Sequence, residues 1–322
     1  ILSLKPKRLI LFEISESSLY LIEQELNKIK PTNIEIFPIL GSVRDKDITE
    51  YICNYYSVQT IYHAAAYKHV PLVEMNQSEG VLNNALGTLA LAEAAIATKV
   101  ETFVLISTDK AVRPTNTMGA TKRVAELVLQ ALAKLQQNTC FTMVRFGNVL
   151  DSSGSVIPLF KNQIEEGGPV TVTDENIVRY FMTIPEAVEL VIQASAMGKG
   201  GDVFVLDMGK PIRINDLAIK MIQLSGLQVR DKDNPDGDIE IKFIGLRPGE
   251  KLFEELLVGD NTQKTENPLI MRAEEIMIDW KLLKPILDKL RDSSISSNQE
   301  EIHALLTKIV PEFKPQDSII GN

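Results

Sequence analysis

Val104 to Glu126 reads VLISTDKAVRPTNTMGATKRVAE, and the fold is decided there. The run Phe103-Val104-Leu105-Ile106 is apolar and partly β-branched, the pattern of a strand buried on both faces. It stops at Ser107-Thr108-Asp109-Lys110, which sets two hydroxyls, a carboxylate and an amine side by side. Pro114 and Asn116 then signal a loop, and a helix follows with Lys122 on its first turns. In an open α/β sheet, ligands collect beyond the carboxyl ends of the strands. Thr108, Asp109, Lys110 and Lys122 therefore stand where chemistry is expected, although an isolated Asp-Lys pair is more often a solvated loop charge.

Working outward, Ile1 to Lys7 reads as the tail of a helix and Arg8 to Glu13 as a strand. Ser15-Glu16-Ser17-Ser18 supplies the N-cap of an amphipathic helix through Leu21, Ile22 and Leu26. Strands are predicted at about Ile34–Leu40, Thr60–His63, Thr102–Ile106 and Phe141–Phe146, with a long helix over roughly Ser78–Thr98. After Asn148 the pattern loosens, and the stretches from Asp151 to Ser155 and from Glu165 to Pro169 read as loops. Short strands near Val170–Thr173 and Val203–Asp207 flank a helix from Pro185 to Met197. A polar turn, Asp231 to Asp238, precedes a strand at Ile239–Phe243, and two amphipathic helices occupy Trp280 to Ile309. Such alternation predicts an α/β fold, a Rossmann-type doubly wound parallel sheet covered on both faces. Residues 1–148 would form the nucleotide-binding part and residues 149–322 a smaller α/β substrate domain partly intertwined with it.

A chain of 322 residues can bury a substantial core. Its net charge of −9 argues against non-specific nucleic-acid binding but leaves room for an anionic nucleotide held by local arginines. Cys53 and Cys140 have neither disulfide nor metal spacing and read as buried thiols of a reducing compartment. His63, His69 and His303 form no ligand pattern, so no metal is expected. No stretch reads as long and apolar enough to span a membrane, and no signal peptide is visible.

The spacing from Ser107 and Thr108 to Met118-Gly119-Ala120-Thr121-Lys122 resembles the active-site segment of the extended short-chain dehydrogenase/reductases. There a Ser/Thr precedes a Tyr-x-x-x-Lys pair; here methionine stands in the tyrosine's place. With that departure, the segment is similar to STDKAV-x-P-x-N-x-MGA-x-KR of the large nucleotide-sugar 4,6-dehydratases of capsular and glycan polysaccharide biosynthesis. Ala66-Tyr67-Lys68-His69-Val70-Pro71, Arg145-Phe146-Gly147-Asn148-Val149, Gly154-Ser155-Val156-Ile157-Pro158, Arg179-Tyr180-Phe181-Met182-Thr183 and Leu246-Arg247-Pro248-Gly249-Glu250-Lys251 resemble the same family. Together these segments reach from Glu13 to about Glu275.

The resemblance implies NAD-dependent dehydration of a UDP-N-acetyl-hexosamine, UDP-GlcNAc foremost, to a 4-keto-6-deoxy sugar. Lys110 would be the base at C5, Asp109 the acid for the 6-hydroxyl, and Thr108 the partner of the 4-hydroxyl. Lys122 would hold the nicotinamide ribose beside Ser107. Met118 cannot transfer a proton, which leaves Lys110, Lys122 or water to take that of the 4-hydroxyl. Lys68, His69 and Glu74 would line the sugar pocket, Asn148 and Ser155 the diphosphate, and Arg179, Arg247 and Glu250 the nucleotide. Read alone, Pro248-Gly249-Glu250 is a turn starting a helix.

For the cofactor, Glu13 at a strand end would accept from the ribose hydroxyls and repel a 2′-phosphate, favouring NAD over NADP. Ala64, Ala65 and Ala66 permit close backbone approach, and pack a helix equally well. Ser42 and Val43, where the family more often has Gly-Asp-Val-Arg-Asp, would face the adenine, and Asn84 would shape the active site. No Gly-rich loop follows the first strand. The resemblance implies that this strand is the family's second and that a βα unit of about 30 residues carrying the loop precedes Ile1. It also implies a cytoplasmic homo-oligomer whose longer parent could be attached to the membrane. The alternatives are a nucleotide-sugar C4 or C5 epimerase and a non-catalytic dinucleotide-binding protein.

Overall fold

The computed structural model describes residues 1–152, 154–255 and 262–315. The expected α/β architecture is present, and its central strand is the one read first. Thr102–Ile106 (β4) pairs in parallel with Thr60–His63 (β3) on one side and Cys140–Arg145 (β5) on the other. Phe103, Val104 and Leu105 are all fully buried. Phe103 and Leu105 enter one apolar cluster and Val104 another, as the period-two alternation of a strand demands. Arg8–Glu13 (β1) and Glu35–Leu40 (β2) form a separate parallel pair, joined by the helix Glu16–Ile29 with Ser15 as its N-cap.

Beyond β5 the chain leaves the sheet and returns to it. Asp202–Leu206 adds in parallel to β5, and Ile270–Ala273 and Thr262–Lys264 continue antiparallel to the edge. Sequence reading missed the last two strands, which are short and flanked by polar residues. Between these passages lies a smaller unit with its own core. Its parallel strands Val229–Arg230, Ile239–Phe243 and Val170–Val172 are packed by helices Val156–Glu165 and Ile214–Leu224. The helix Ile184–Met197, opened by a capping box between Thr183 and Glu186, covers the Val104 face of the sheet.

The opposite face carries helix Thr117–Leu135 and the long helix Gln77–Ala97, whose middle turn, Val81–Leu86, widens to π geometry. Both are covered in turn by the hairpin of helices Trp280–Ile295 and Gln299–Ile309, through Leu283, Leu287, Leu290, Ile302 and Leu306. Residues 117–132 are consequently all buried, charged ones included. One expectation is corrected here. Gln77–Ala97 is long and apolar enough by composition to cross a membrane, with mean hydropathy 1.3, but 72% of that window is buried inside the protein. Two smaller differences also appear. The opening residues make only a 3-10 turn, Leu2–Leu4, and no helix follows Pro248-Gly249 among the described residues.

Candidate active site

The carboxyl end of β4 is pinned by the Ser107 N–H, which donates to the Val144 carbonyl at 2.8 Å. The chain then makes a 3-10 turn, Asp109–Ala111, with the Thr108 hydroxyl accepting from the Lys110 N–H. This turn stacks three functional groups on one another. Thr108 Oγ1 donates to Asp109 Oδ1 at 2.8 Å, and Lys110 Nζ donates to the same oxygen at 3.0 Å. Asp109 is 1% exposed, and its Oδ2 has no partner among the described residues. A residue that sequence reading missed completes the cluster. Glu254 brings Oε1 to 3.8 Å from Lys110 Nζ and 4.0 Å from Arg179 Nε. Burial opposes the charge on Lys110, but Asp109 and Glu254 outweigh it and raise its pKa, so the group is an ammonium. Burial also pushes the Glu254 carboxyl up, with Lys110 offsetting part of the shift.

Lys122 reaches the same place from helix Thr117–Leu135. Asn116 caps that helix by accepting from the Gly119 N–H at 2.8 Å, and Glu74 accepts from Thr117 Oγ1 at 2.9 Å. Gly119 lies against the Lys110 carbonyl, where a Cβ would collide with the oxygen, so this helix can start so close to the turn only with glycine there. Lys122 Nζ donates to the Ile106 carbonyl at 2.8 Å, and burial, eased by Glu126, lowers its pKa to about 8. Gly249, at φ +74°, docks the distant 246–251 segment onto this helix start, its carbonyl accepting from Asn116 Nδ2 at 3.0 Å.

These groups open into a cavity of about 470 Å³, a size ordinary for small-ligand clefts. Its lining brings together Ser107, Thr108, Lys110, Met118 and Lys122 with Ala64, Ala66, Lys68, His69, Asn148, Ser155, Arg179, Arg247 and Glu250. The far wall is built by the small unit. Arg179 donates to Glu250 Oε1 at 3.2 Å, and Glu250 Oε2 accepts from the Arg247 N–H at 3.0 Å. Ser155 begins helix Val156–Glu165 with a buried hydroxyl that has no partner among the described residues. Phe146, Val149, Phe160 and Phe181 add apolar surface that sequence reading did not assign, because their alternation alone marks only core.

Other expected site residues lie outside this lining. Asp109 sits behind Lys110, and Glu74 holds the helix start. Asn84, fully buried in the π turn, bonds both backbone groups of Tyr67 and the Thr121 hydroxyl, so it fixes the loop that carries Lys68 and His69. Val43 is 7% exposed and packs in the main core beside Gly87, and Ala65 packs against the same core. Ser42 lines a separate open recess with Ile14, Arg44 and Asp45. Glu13, at the end of β1, accepts from the Ser15 N–H at 2.9 Å. No group of His, Cys, Asp or Glu among the described residues could hold a metal ion.

His63, at the end of β3, is neutral for a visible reason. It is buried, hydrogen-bonded to Thr88 Oγ1 at 2.8 Å, and its pKa is lowered to about 3 by burial and by Lys122. The unfolded chain takes up a proton below about 6.5 that the fold does not, so stability falls as pH drops from about 6.5 towards 3. His63→Gln is expected to flatten urea-measured stability by close to one proton's slope, about 1.4 kcal/mol per pH unit, across that window. An unchanged slope would mean that the ring titrates normally.

A family model described as "Polysaccharide biosynthesis protein" matches residues 1–275. The chain is 55% identical over 252 residues to the capsular polysaccharide biosynthesis protein CapD of Staphylococcus aureus, covering 78% of the chain and 41% of the relative. It is 47% identical over 289 residues to the probable polysaccharide biosynthesis protein EpsC of Bacillus subtilis, covering 89% and 47%. The chain thus spans less than half the length of these two relatives. Among solved structures, Pen from Bacillus thuringiensis superposes with a TM-score of 0.74 at 36% identity, covering 89% of this chain and 91% of that one. DesIV from Streptomyces venezuelae, a dTDP-glucose 4,6-dehydratase solved with NAD, shares the fold with a TM-score of 0.66 at 18% identity, covering 93% and 90%.

Proposed function

Because the chain belongs to the polysaccharide biosynthesis protein family, we propose that it dehydrates a UDP-N-acetyl-hexosamine, UDP-GlcNAc foremost, to the 4-keto-6-deoxy sugar with the help of NAD. The observation that carries this reading is the Thr108–Asp109–Lys110 stack facing a cavity beside Lys122, with Met118 where a proton-transferring tyrosine would stand. The lining suits the nicotinamide half of a dinucleotide, since Ala64 and Ala66 leave the backbone approachable beside Ser107 and Lys122. The recess at Ser42 and the carboxylate of Glu13 would serve the adenine half. Bound there, NAD would accept a hydride from C4 and return it to C6.

The protein's own groups can supply the remaining steps. Thr108 gives its proton to Asp109, so it offers the sugar's 4-hydroxyl a lone pair. Met118 cannot take that hydroxyl's proton, and Lys122, pushed down to about 8, is the lysine most readily neutral near working pH. Elimination needs a base at C5 and an acid at the 6-hydroxyl. The resting pair is the reverse, an ammonium bonded to a carboxylate. One proton moving from Lys110 Nζ to Asp109 Oδ1 across the 3.0 Å bond gives both required forms at once. Exclusion of water by the sugar favours that transfer, because a neutral pair costs less to bury than an ion pair. Lys110 then takes the C5 proton while Asp109 protonates the departing hydroxyl, which leaves as water, and Lys110 returns a solvent-exchangeable proton to C5 when the hydride reaches C6.

Relatives at 36% identity named UDP-glucose 4-epimerase, such as that of Rickettsia rickettsii, favour epimerisation as the second reading. Incubation of the full-length protein with UDP-GlcNAc and NAD in D₂O, read by NMR and mass spectrometry, separates the two. Loss of one water with deuterium at C5 is the expected result. Inversion at C4 without water loss would make it an epimerase, and no change in folded, NAD-bound protein would mean no catalysis.

A further inference from the structure

Behind Ser107 lies a charged network that the steps above leave unused. Ser107 Oγ donates to Glu126 Oε1 at 2.6 Å, and the same carboxylate receives Arg145 Nε at 2.8 Å and Arg123 at 3.1 Å. Arg145 also pairs with Glu275, and Arg123 reaches Glu275 at 2.8 Å and the Ile276 carbonyl at 2.9 Å. Glu126 is fully buried, and Ser107, 5% exposed, lines the cavity. A carboxylate held by two guanidinium groups can only accept.

We propose that Glu126 is a positioning residue: it draws the Ser107 proton away from the cavity, so that Ser107 meets its ligand only as an acceptor. The neighbouring hydroxyl is arranged likewise, Thr108 giving its proton to Asp109. Two adjacent hydroxyls thus turn lone pairs towards the cavity. What they bind is a donor, a ligand hydroxyl or a primary amide N–H₂, and a ketone or phosphate oxygen gains nothing from Ser107. Glu126 keeps its proton-free form because Arg145 and Arg123 offset the cost of burial, holding its pKa at about 2. The role assigned to the ligand rests on the sugar-nucleotide reading; the direction of the Ser107 bond does not.

The test has one arm for each. In Ser107→Cys, pH-dependent alkylation of the introduced thiol, followed by peptide mass spectrometry, reports where the proton is held. Next to an accepting carboxylate the thiol pKa should lie above the ordinary value of about 8.5. Adding Glu126→Gln should lower it by about one unit or more. Glu126→Asp, which keeps the charge but withdraws the acceptor by a methylene, should give an intermediate value and carries the comparison if the glutamine variant does not fold. Equal pKa values in all backgrounds would overturn the proposal. In turnover, Ser107→Ala and Glu126→Gln should each lower kcat by on the order of tenfold, with KM for the sugar nucleotide within about twofold. Their combination should be no worse than either alone. Effects that multiply would reduce Glu126 to a structural residue. Wild-type protein without turnover would overturn the reading of the cavity, while the thiol titration would still decide the direction of the bond.

Discussion

Lys110→Ala is expected to lower kcat by about three orders of magnitude and to stop deuterium entering at C5, with the protein still folded. The expectation follows from position. Lys110 is the cavity-facing member of a stack whose other parts stay in place when the amine is gone, the Thr108 hydroxyl still donating to the Asp109 carboxylate and the Asp109 N–H to the Phe146 carbonyl. The loss therefore falls on chemistry. Lys110→Arg should not restore exchange, because a guanidinium stays protonated and cannot act as a base. NMR of product formed in D₂O reads both variants. Wild-type rates of C5 exchange in Lys110→Ala would move the base to another group, with Lys122 the nearest by proton affinity.

The largest effect on stability is expected at Arg145. Arg145→Met should cost about 3–5 kcal/mol, measured by urea unfolding, because it strips the partner from buried carboxylates. Arg145 is 1% exposed, makes two bonds to Glu126 and pairs with Glu275. Methionine fills much of the volume but leaves Glu126 with Arg123 and Ser107 alone. A cost below about 1 kcal/mol would mean that the network is solvated and adds no more than a surface pair.

The centre of the sheet was legible because β4, β5 and Asp202–Leu206 are buried on both faces, which leaves apolar runs in the sequence. The Ser107-Thr108-Asp109-Lys110 turn was legible for the same reason, since it ends such a run. Glu126 was not, although it closes the very stretch read first. Arg123, Glu126 and Gln130 recur at helical spacing, the pattern of a face turned to water. Here that face is buried against Ser107, Arg145 and the Glu275-Ile276 segment, and local periodicity carries no sign of partners supplied so far along the chain. Glu254 was hidden in the same way. Its effect on Lys110 depends on a contact between segments far apart in the chain, and neither residue's neighbours announce it. Asn84 was singled out by resemblance as a residue of the site. Its bonds to Tyr67 show how it shapes the cavity, by gripping the backbone of a loop.

The partnership between Arg145 and Glu275 has a consequence for the order in which the molecule can be made. The two residues are 130 positions apart, so at about 5–20 residues per second a ribosome takes roughly 6 to 26 s to deliver the second after the first. Over that interval the sheet beyond β5 is also incomplete, lacking Asp202–Leu206 at first and its antiparallel partner Ile270–Ala273 to the end. The nascent chain thus carries every residue of the Thr108–Lys122 machinery long before the segment that neutralises the charges beneath it. Interrupted synthesis anywhere before residue 275 would release a chain with Arg123 and Arg145 underpaired and an unfinished sheet edge. Such a fragment is a natural target for chaperones and proteases, so the candidate site is secured only by a segment near the end of the described residues.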